Sequence, residues 1–164
     1  MRTETLVDRL TKATNNQIFG VAFVLLRLAV GLEFFFAGIA KFGDWSAASY
    51  LQAANGPLAA WFQGMAGSGL VNALNAWGLT LIGLALILGL LVRPASMFGM
   101  LIMALYYLAH FVDNTAFGYI DTHIVHIIIL LLFTAGGAGQ VFGLNSLLTN
   151  TMRRPSALTK FLIG

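Results

Sequence analysis

Three long stretches of the chain contain no aspartate, glutamate, lysine or arginine: residues 45–92, 94–112 and 122–152. An apolar stretch of ~20 residues is long enough to cross the hydrocarbon core of a bilayer as an α-helix. Only 9 % of the 164 residues are charged and the mean hydropathy is +0.84, whereas a soluble domain carries about 25 % charged residues. The sequence therefore predicts a single integral membrane domain over residues 1–164.

Four segments are apolar and long enough to be transmembrane helices. The predicted spans cover about residues 18–40, 70–92, 95–112 and 121–142, and Asp121 is expected to cap the fourth. The predicted fold class is all-α, a polytopic membrane four-helix bundle. Two short helices are expected in the loop between the first and second spans, covering the outer face of the bundle. Small residues from Ala135 onward are expected to pack helices closely inside the fourth span.

The basic residues are distributed unevenly around these spans. Apart from Arg27, which lies within the first span, every lysine and arginine except Lys41 falls on one side of the four-span topology. Positive residues favour the cytoplasmic side of a membrane, so we expect a multi-pass protein of the cell membrane with both termini cytoplasmic. The loop over residues 41–69 is then extracytoplasmic. Because the basic residues lie at the edges of apolar runs, the net charge of +3 does not indicate nucleic-acid binding.

The chain contains no cysteine. This excludes disulfides, thiolate nucleophiles and cysteine-ligated iron–sulfur clusters. The histidines lack a known zinc-ligand spacing, so no metal site is predicted. Since no side chain present carries electrons unaided, a redox activity would need a quinone, a haem or a partner subunit.

The first span carries charges that a lipid-facing helix would avoid. Arg27 and Glu33 lie within it, and Lys41 lies at its end. Ionisable residues inside a membrane are costly and usually functional. With a rise of ~1.5 Å per residue, Arg27 is expected ~13 Å from the cytoplasmic edge and Glu33 ~9 Å further out. Two structural alternatives remain open: Arg27 buried against helix-end carbonyls or Glu33, and Lys41 only reaching the interface.

Other polar residues are predicted at the same outer depth as Glu33. His110 ends the third span, whereas His123 and His126 share one face near the start of the fourth. We expect a cavity between the first, third and fourth spans that binds a quinone head group, with haem b as a weaker alternative. The candidate catalytic residues are Glu33, His110, His123 and His126, and the candidate cofactor-binding residues are Arg27, Lys41, Tyr106 and Tyr107.

One stretch, "RLAVGLEFFFAGIAKF", has the pattern R-x3-G-x6-G-x2-K, formed by Arg27, Gly31, Gly38 and Lys41. It is followed by the short-helix loop, by "GLTLIGLALILGLLVRPAS", by a D-x-H start of the fourth span and by "GGAGQVFGL". This series resembles the DoxX-like family of small four-helix membrane proteins over about residues 20–145. Within the family, the similarity is greatest to the DoxD branch, the membrane subunit of thiosulfate:quinone oxidoreductases.

The resemblance implies transfer of electrons from a reduced sulfur compound such as thiosulfate to membrane quinone, together with a second protein subunit. It does not imply roles for Glu33 or the histidines, which are inferred from depth and chemistry. The alternative is a non-catalytic accessory or anchor subunit of a larger membrane respiratory or redox complex. The small-residue faces, which suit helix association, favour that alternative.

Overall fold

The computed structural model describes residues 6–116 and 118–146, with side-chain surroundings from residue 16 onward. Every regular element in these ranges is a helix, which confirms the predicted all-α class. The helices described are α1 (Leu6–Ile39), α2 (Ala48–Gln52), α3 (Ala59–Gly64), α4 (Gly69–Leu88), α5 (Val92–Ala109), α6 (Phe111–Thr115) and α7 (Thr122–Ala135).

Three of the described helices are long and apolar enough to cross a membrane, judged by length and composition. They are residues 16–39 of α1, the whole of α4 and the whole of α5. The outward faces of the helices carry large apolar side chains, many of them more than half exposed, and a soluble monomer rarely shows so much exposed apolar surface. Examples are Leu25, Phe36, Trp77, Leu81, Phe98, Leu101 and Ile128.

The fourth apolar helix, α7, is shorter than predicted. It has 14 residues, which corresponds to ~21 Å, against a hydrocarbon core of ~30 Å. It ends at Ala135, and the chain turns over residues 136–142 instead of continuing the helix. Gly137 has a φ of 61°, a conformation that glycine adopts without strain. The prediction that the fourth helix extends to residue 142 is therefore wrong, and the small residues after Ala135 form a turn.

The long helices pack in sequence, α1 against α4, α4 against α5 and α5 against α7, whereas α1 and α7 approach each other less closely. The pair α1–α4 is held close by glycines. A Cβ atom on Gly83 would lie 2.6 Å from the Cα of Phe35, and one on Gly38 would lie 2.9 Å from the Cα of Thr80. The main core has its largest side chains in Phe23, Phe34, Leu79, Leu86, Met103, Leu130 and Phe133.

The segment between α1 and α4 folds over the end of α5. Its two short helices build a second small core around Leu51 and Phe62, closed by Ala109 at the last turn of α5. The backbone N–H of Asn55 donates to the Ala109 carbonyl at 3.0 Å. This segment therefore covers the end of the bundle at which α5 stops.

The register between α1 and α4 places Arg27 beside the end of α4. Gly31 packs against Ile87, near the end of α4, and a Cβ atom on Gly89 would lie 3.0 Å from the Arg27 guanidinium. Arg27 is therefore level with the turn that joins α4 to α5. The sequence estimate of ~13 Å counted residues along the first span alone, and the depth of Arg27 in the membrane stays a prediction.

Candidate functional site

A cavity of about 200 Å³ lies between α1, α5 and α7. Its polar lining is Glu33, Lys41, Tyr106, Thr122, His123 and His126. Its apolar lining is Phe34, Ala37, Leu79 and Met103. Of the eight candidate site residues inferred from the sequence, the structure therefore brings five together, from α1, α5 and α7 and the residues just after α1.

The central contact of this cavity joins α1 to α7. The Oε2 atom of Glu33 lies 2.9 Å from the Nε2 atom of His126. The His126 ring is largely buried and is packed against the ring of Phe34, with 5.9 Å between the ring centroids. The Glu33 side chain remains 60 % exposed. The pair therefore lies at the rim of the cavity, on the open side between the two helices.

The other nitrogen of His126 is also engaged. Its Nδ1 atom lies 2.7 Å from the carbonyl oxygen of Thr122, one turn earlier in α7. Both ring nitrogens thus have partners, which fixes the orientation of the imidazole. An orientation fixed in this way is typical of a histidine that handles protons or ligands.

Asp121 holds both the start of α7 and the second cavity histidine. Its Oδ1 atom accepts a hydrogen bond from the Ile124 N–H at 3.0 Å, which confirms the predicted cap, and its Oδ2 atom contacts Nδ1 of His123. Burial alone would raise the pKa of Asp121, but the hydrogen bonds from His123 and the Ile124 N–H outweigh it and lower this pKa. Asp121 is therefore an anion beside His123.

Tyr106 connects the cavity to α4 and to the covering segment. Its hydroxyl donates to Oδ1 of Asn75, and its ring lies against the rings of His123 and Tyr50, with centroid distances of 6.0 and 5.8 Å. Burial, with a smaller contribution from the charge of Asp121, raises the pKa of Tyr50 to about 12. Both the Tyr50 hydroxyl and the Tyr106 ring are therefore positioned by neighbours from other elements.

Lys41 supplies a positive charge at the end of the cavity. Its Nζ atom donates to the Ala37 carbonyl at 3.3 Å and lies 4.8 Å from the centre of the Trp45 ring, within reach of a cation–π interaction. Burial lowers the pKa of Lys41. The ammonium group is thus held at the cavity by its own helix end and by the covering segment.

Two of the expected residues lie outside this cavity. Because α5 ends at Ala109, the ring of His110 turns towards the covering segment, with Nε2 3.1 Å from the Tyr50 carbonyl and Nδ1 3.4 Å from Asp113. The hydroxyl of Tyr107 donates to the Tyr119 carbonyl at 3.0 Å. The structure therefore does not bring these two side chains to the Glu33–His126 pair.

Arg27 also lies apart from the cavity. It is 2 % exposed, and its guanidinium donates to carbonyls of the turn after α7: Ala138, Val141 at 3.0 Å and Phe142 at 3.4 Å. Of the two alternatives for a buried Arg27, the structure shows the carbonyl partners and not Glu33. Arg27 thus holds the turn that replaces the end of the fourth predicted helix.

Sequence reasoning missed three groups of this site. The carboxylate of Asp121 orients His123, the Thr122 carbonyl contacts His126, and Asn75 accepts from Tyr106. The D-x-H sequence at Asp121 could have predicted the contact with His123, because a capping side chain two residues before a histidine can reach its ring. The other two depend on ring orientation and on helix register, which leave no local sequence signal.

A metal ion or a haem iron would need donor atoms free to ligate it. Within residues 16–116 and 118–146, no three histidine, aspartate or glutamate side chains are grouped to hold a metal ion. Both ring nitrogens of His126 are occupied by Thr122 and Glu33. An axial bond from His126 to haem iron would have to displace Glu33. The ammonium group of Lys41 and a histidine ring N–H can donate to the carbonyl oxygens or negative charge of an organic ligand.

Comparison with known proteins gives one match. The family model described as DoxX matches residues 22–111, from the middle of α1 to the start of α6. No curated protein and no solved structure matches the chain. The matched range includes Glu33 and Lys41, whereas His123 and His126 follow it. Since this range is more than half of the chain and the long helices are apolar, the protein is a multi-pass membrane protein that belongs to the DoxX family.

Proposed function

We propose that this protein is the membrane redox subunit of a quinone-reducing enzyme, and that its quinone head group binds in the cavity at Glu33 and His126. The observation that supports this most is a largely apolar cavity into which several polar side chains project, within an otherwise apolar set of helices. Burying polar groups without hydrogen-bond partners costs free energy in apolar surroundings. Binding of a ligand with two carbonyl oxygens would account for more than one donor at the cavity.

The cavity fits the head of a quinone better than a larger ligand. Its volume of about 200 Å³ is below the ~300–1,000 Å³ of sites for drug-sized molecules, and it suits one substituted ring. Glu33, on the α1 side, is 60 % exposed at the rim of the cavity. An isoprenoid tail would leave the cavity there and enter the lipid, without crossing the core.

The polar side chains that line the cavity each have a role in this proposal. A bound quinone accepts two electrons and two protons on becoming a quinol. The Glu33–His126 pair would bond one carbonyl oxygen and His123 the other, and each would supply one of the two protons. Lys41, at the cavity end, would provide positive potential for an anionic electron donor.

The electron donor in this proposal is a reduced sulfur compound such as thiosulfate, as in the DoxD branch. Support comes from the DoxX family match and from the polar residues Glu33 and Lys41, which lie inside the matched range. Because the sequence has no cysteine, the electrons would pass through a second protein subunit or directly from the donor.

A second candidate function is that of a non-catalytic accessory or anchor subunit in a larger membrane complex. The specific observation that favours it is the absence of any cysteine from the sequence, since the chain then needs a partner for most redox chemistry. Under this alternative the cavity would bind no quinone, and a large partner would co-purify in fixed stoichiometry.

Quinone binding is the first measurement. In the natively isolated protein, we expect Glu33→Gln and His126→Gln each to weaken the affinity for a short-chain ubiquinone or menaquinone analogue about tenfold. This corresponds to the loss of one hydrogen bond to a charged or acidic partner. Tryptophan or tyrosine fluorescence quenching, checked by calorimetry, gives the dissociation constant. The rate of quinone reduction by thiosulfate is measured in parallel.

The matched control is His110→Gln, because this histidine lies outside the cavity and contacts Tyr50 and Asp113. It should leave the affinity for quinone unchanged. Wild-type affinity in both cavity variants, or equal losses in all three, would contradict the site. If no quinone binds to the wild type and a stoichiometric partner is found, the accessory-subunit function takes its place.

We also propose that the chain crosses the cell membrane four times, as a four-helix bundle with both termini cytoplasmic. The fourth crossing would use α7 together with the turn after it. Non-helical backbone at membrane depth is tolerated where protein groups satisfy it, and Arg27 donates to three carbonyls of that turn.

Reporter fusions test this topology. Alkaline phosphatase, which is active outside the cytoplasm, should be inactive when fused after Gly164 and active when inserted at Gly67, an exposed position in the loop before α4. Green fluorescent protein fused at the same two sites should give the opposite pattern. Phosphatase activity after Gly164 would exclude a cytoplasmic C-terminus.

A further inference from the structure

The Glu33–His126 contact determines where protons lie, because one of its partners can only accept. The Thr122 carbonyl is 2.7 Å from Nδ1 of His126, and a carbonyl oxygen has no proton to donate. Nδ1 must therefore carry the proton. In the neutral imidazole this leaves Nε2 as a bare acceptor, which is the atom that faces Glu33.

A bare Nε2 opposite a bare carboxylate would place two acceptors 2.9 Å apart. That arrangement is repulsive, whereas one proton between them makes a short, favourable hydrogen bond. The proton lies either on Glu33, which then donates to Nε2, or on the imidazolium, which then donates to the carboxylate. In both forms the pair has no net charge, which lowers the cost of keeping an exposed glutamate in an apolar helix.

Three further titratable groups line the cavity. The titratable groups that line it beside the pair are Lys41 at the end of α1, Tyr106 on α5 and His123 on α7, whereas α4 contributes only Leu79. His123 is three residues before His126, on the same face of the helix. Its side chain is 26 % exposed, and it contacts the carboxylate of Asp121 at the helix start.

We propose that Glu33 and His126 together hold one exchangeable proton, and that Asp121 is a positioning residue that orients His123 to exchange it with water at the start of α7. In this role the residues would supply protons to the quinone site, so the inference rests on the proposed function. Transfer of the proton to a ligand leaves the pair with one negative charge, and a proton from water, passed by His123, restores it. No electron moves in this step.

The first measurement is the tautomer of His126, and it needs no quinone. The chain has three histidines, so ¹⁵N-histidine spectra of protein in lipid nanodiscs can be assigned with His126→Gln, which removes one signal. We expect Nδ1 of His126 to be protonated. In Glu33→Gln the amide would donate to Nε2 and keep this tautomer while removing the acidic proton. A bare Nδ1 with a protonated Nε2 in the wild type would overturn the proposal.

The second measurement is the exchange rate of the shared proton with water, followed by saturation transfer. We expect Asp121→Asn to slow this exchange about tenfold. This is less than the rate effect of losing a positioned proton donor altogether, because the asparagine side chain still contacts the His123 ring. Asparagine is also a good helix cap, so α7 should start unchanged. His123→Gln, which keeps Asp121, should slow the exchange at least as much.

The matched control is Asp113→Asn. Asp113 also contacts a histidine, His110, on the same side of the bundle, but it lies outside the cavity. Its replacement should leave the exchange rate unchanged. Wild-type exchange in both Asp121→Asn and His123→Gln, or an equal slowing in Asp113→Asn, would refute the proposed route. A correct tautomer and route without quinone binding would instead overturn only the proposed function.

Discussion

Arg27→Met is expected to lower the free energy of unfolding by about 3 kcal/mol or more. The guanidinium is buried and donates to the carbonyls of Ala138, Val141 and Phe142. Methionine fills a similar volume but donates nothing, so these carbonyls lose a charged donor at once. A hydrogen bond to a charged group contributes ~1.5–3 kcal/mol, and backbone groups near lipid find no water to replace it.

Unfolding of the purified protein in mixed micelles, with increasing fractions of denaturing detergent, measures this loss. Arg27→Lys should give an intermediate value, because a lysine keeps the charge but cannot span three carbonyls as a guanidinium does. Leu25→Met, at a lipid-facing position that is 61 % exposed on the same helix, is the control and should have little effect. If Arg27→Met unfolds at the wild-type midpoint, the turn after α7 does not depend on this residue.

Gly83→Ala is expected to destabilise the protein by about 2 kcal/mol, although alanine is the better helix former. A Cβ atom at this position would meet the α1 backbone, 2.6 Å from both the Cα of Phe35 and the Gly31 carbonyl oxygen. Backbone cannot move aside as a flexible side chain can, so α1 and α4 must separate. Overpacking costs up to ~3 kcal/mol, and the gain in helix propensity returns only ~1 kcal/mol.

The matched control lies in the same helix. A Cβ atom on Gly69 would have open space around it, so Gly69→Ala should be neutral or slightly stabilising. The same detergent titration compares the two variants, and circular dichroism checks that helix content is kept. A Gly83→Ala protein as stable as Gly69→Ala would show that α1 and α4 are not in the close contact described.

Several features of the fold were predictable from local sequence. Long runs without charge predicted apolar helices, and α1, α4 and α5 agree with the first three predicted spans within a few residues at most of their ends. Asp121 was predicted to cap α7 and does so. These features depend only on residues within one or two helical turns, so a short stretch of sequence is enough to predict them.

The candidate site was only partly predictable. Depth along each helix placed Glu33, His123 and His126 near one another, and all three line the cavity. The same reasoning included His110, whose ring turns away because α5 ends one residue earlier. It also measured the depth of Arg27 along α1 alone, without the register against α4. Quinone binding, and the roles of all the candidate residues, remain predictions.

The sequence by itself determined the all-helical class, the membrane environment and the membership of the DoxX family, because apolar run length, charge position and short motifs are properties of the linear chain. Only the tertiary structure decided which polar groups meet. In it, Glu33 contacts His126, and Arg27 donates to carbonyls of the turn after α7. The physical reason is that such contacts depend on helix register, on rotation about each helix axis and on where a helix ends. A small shift in any of the three changes which side chains meet.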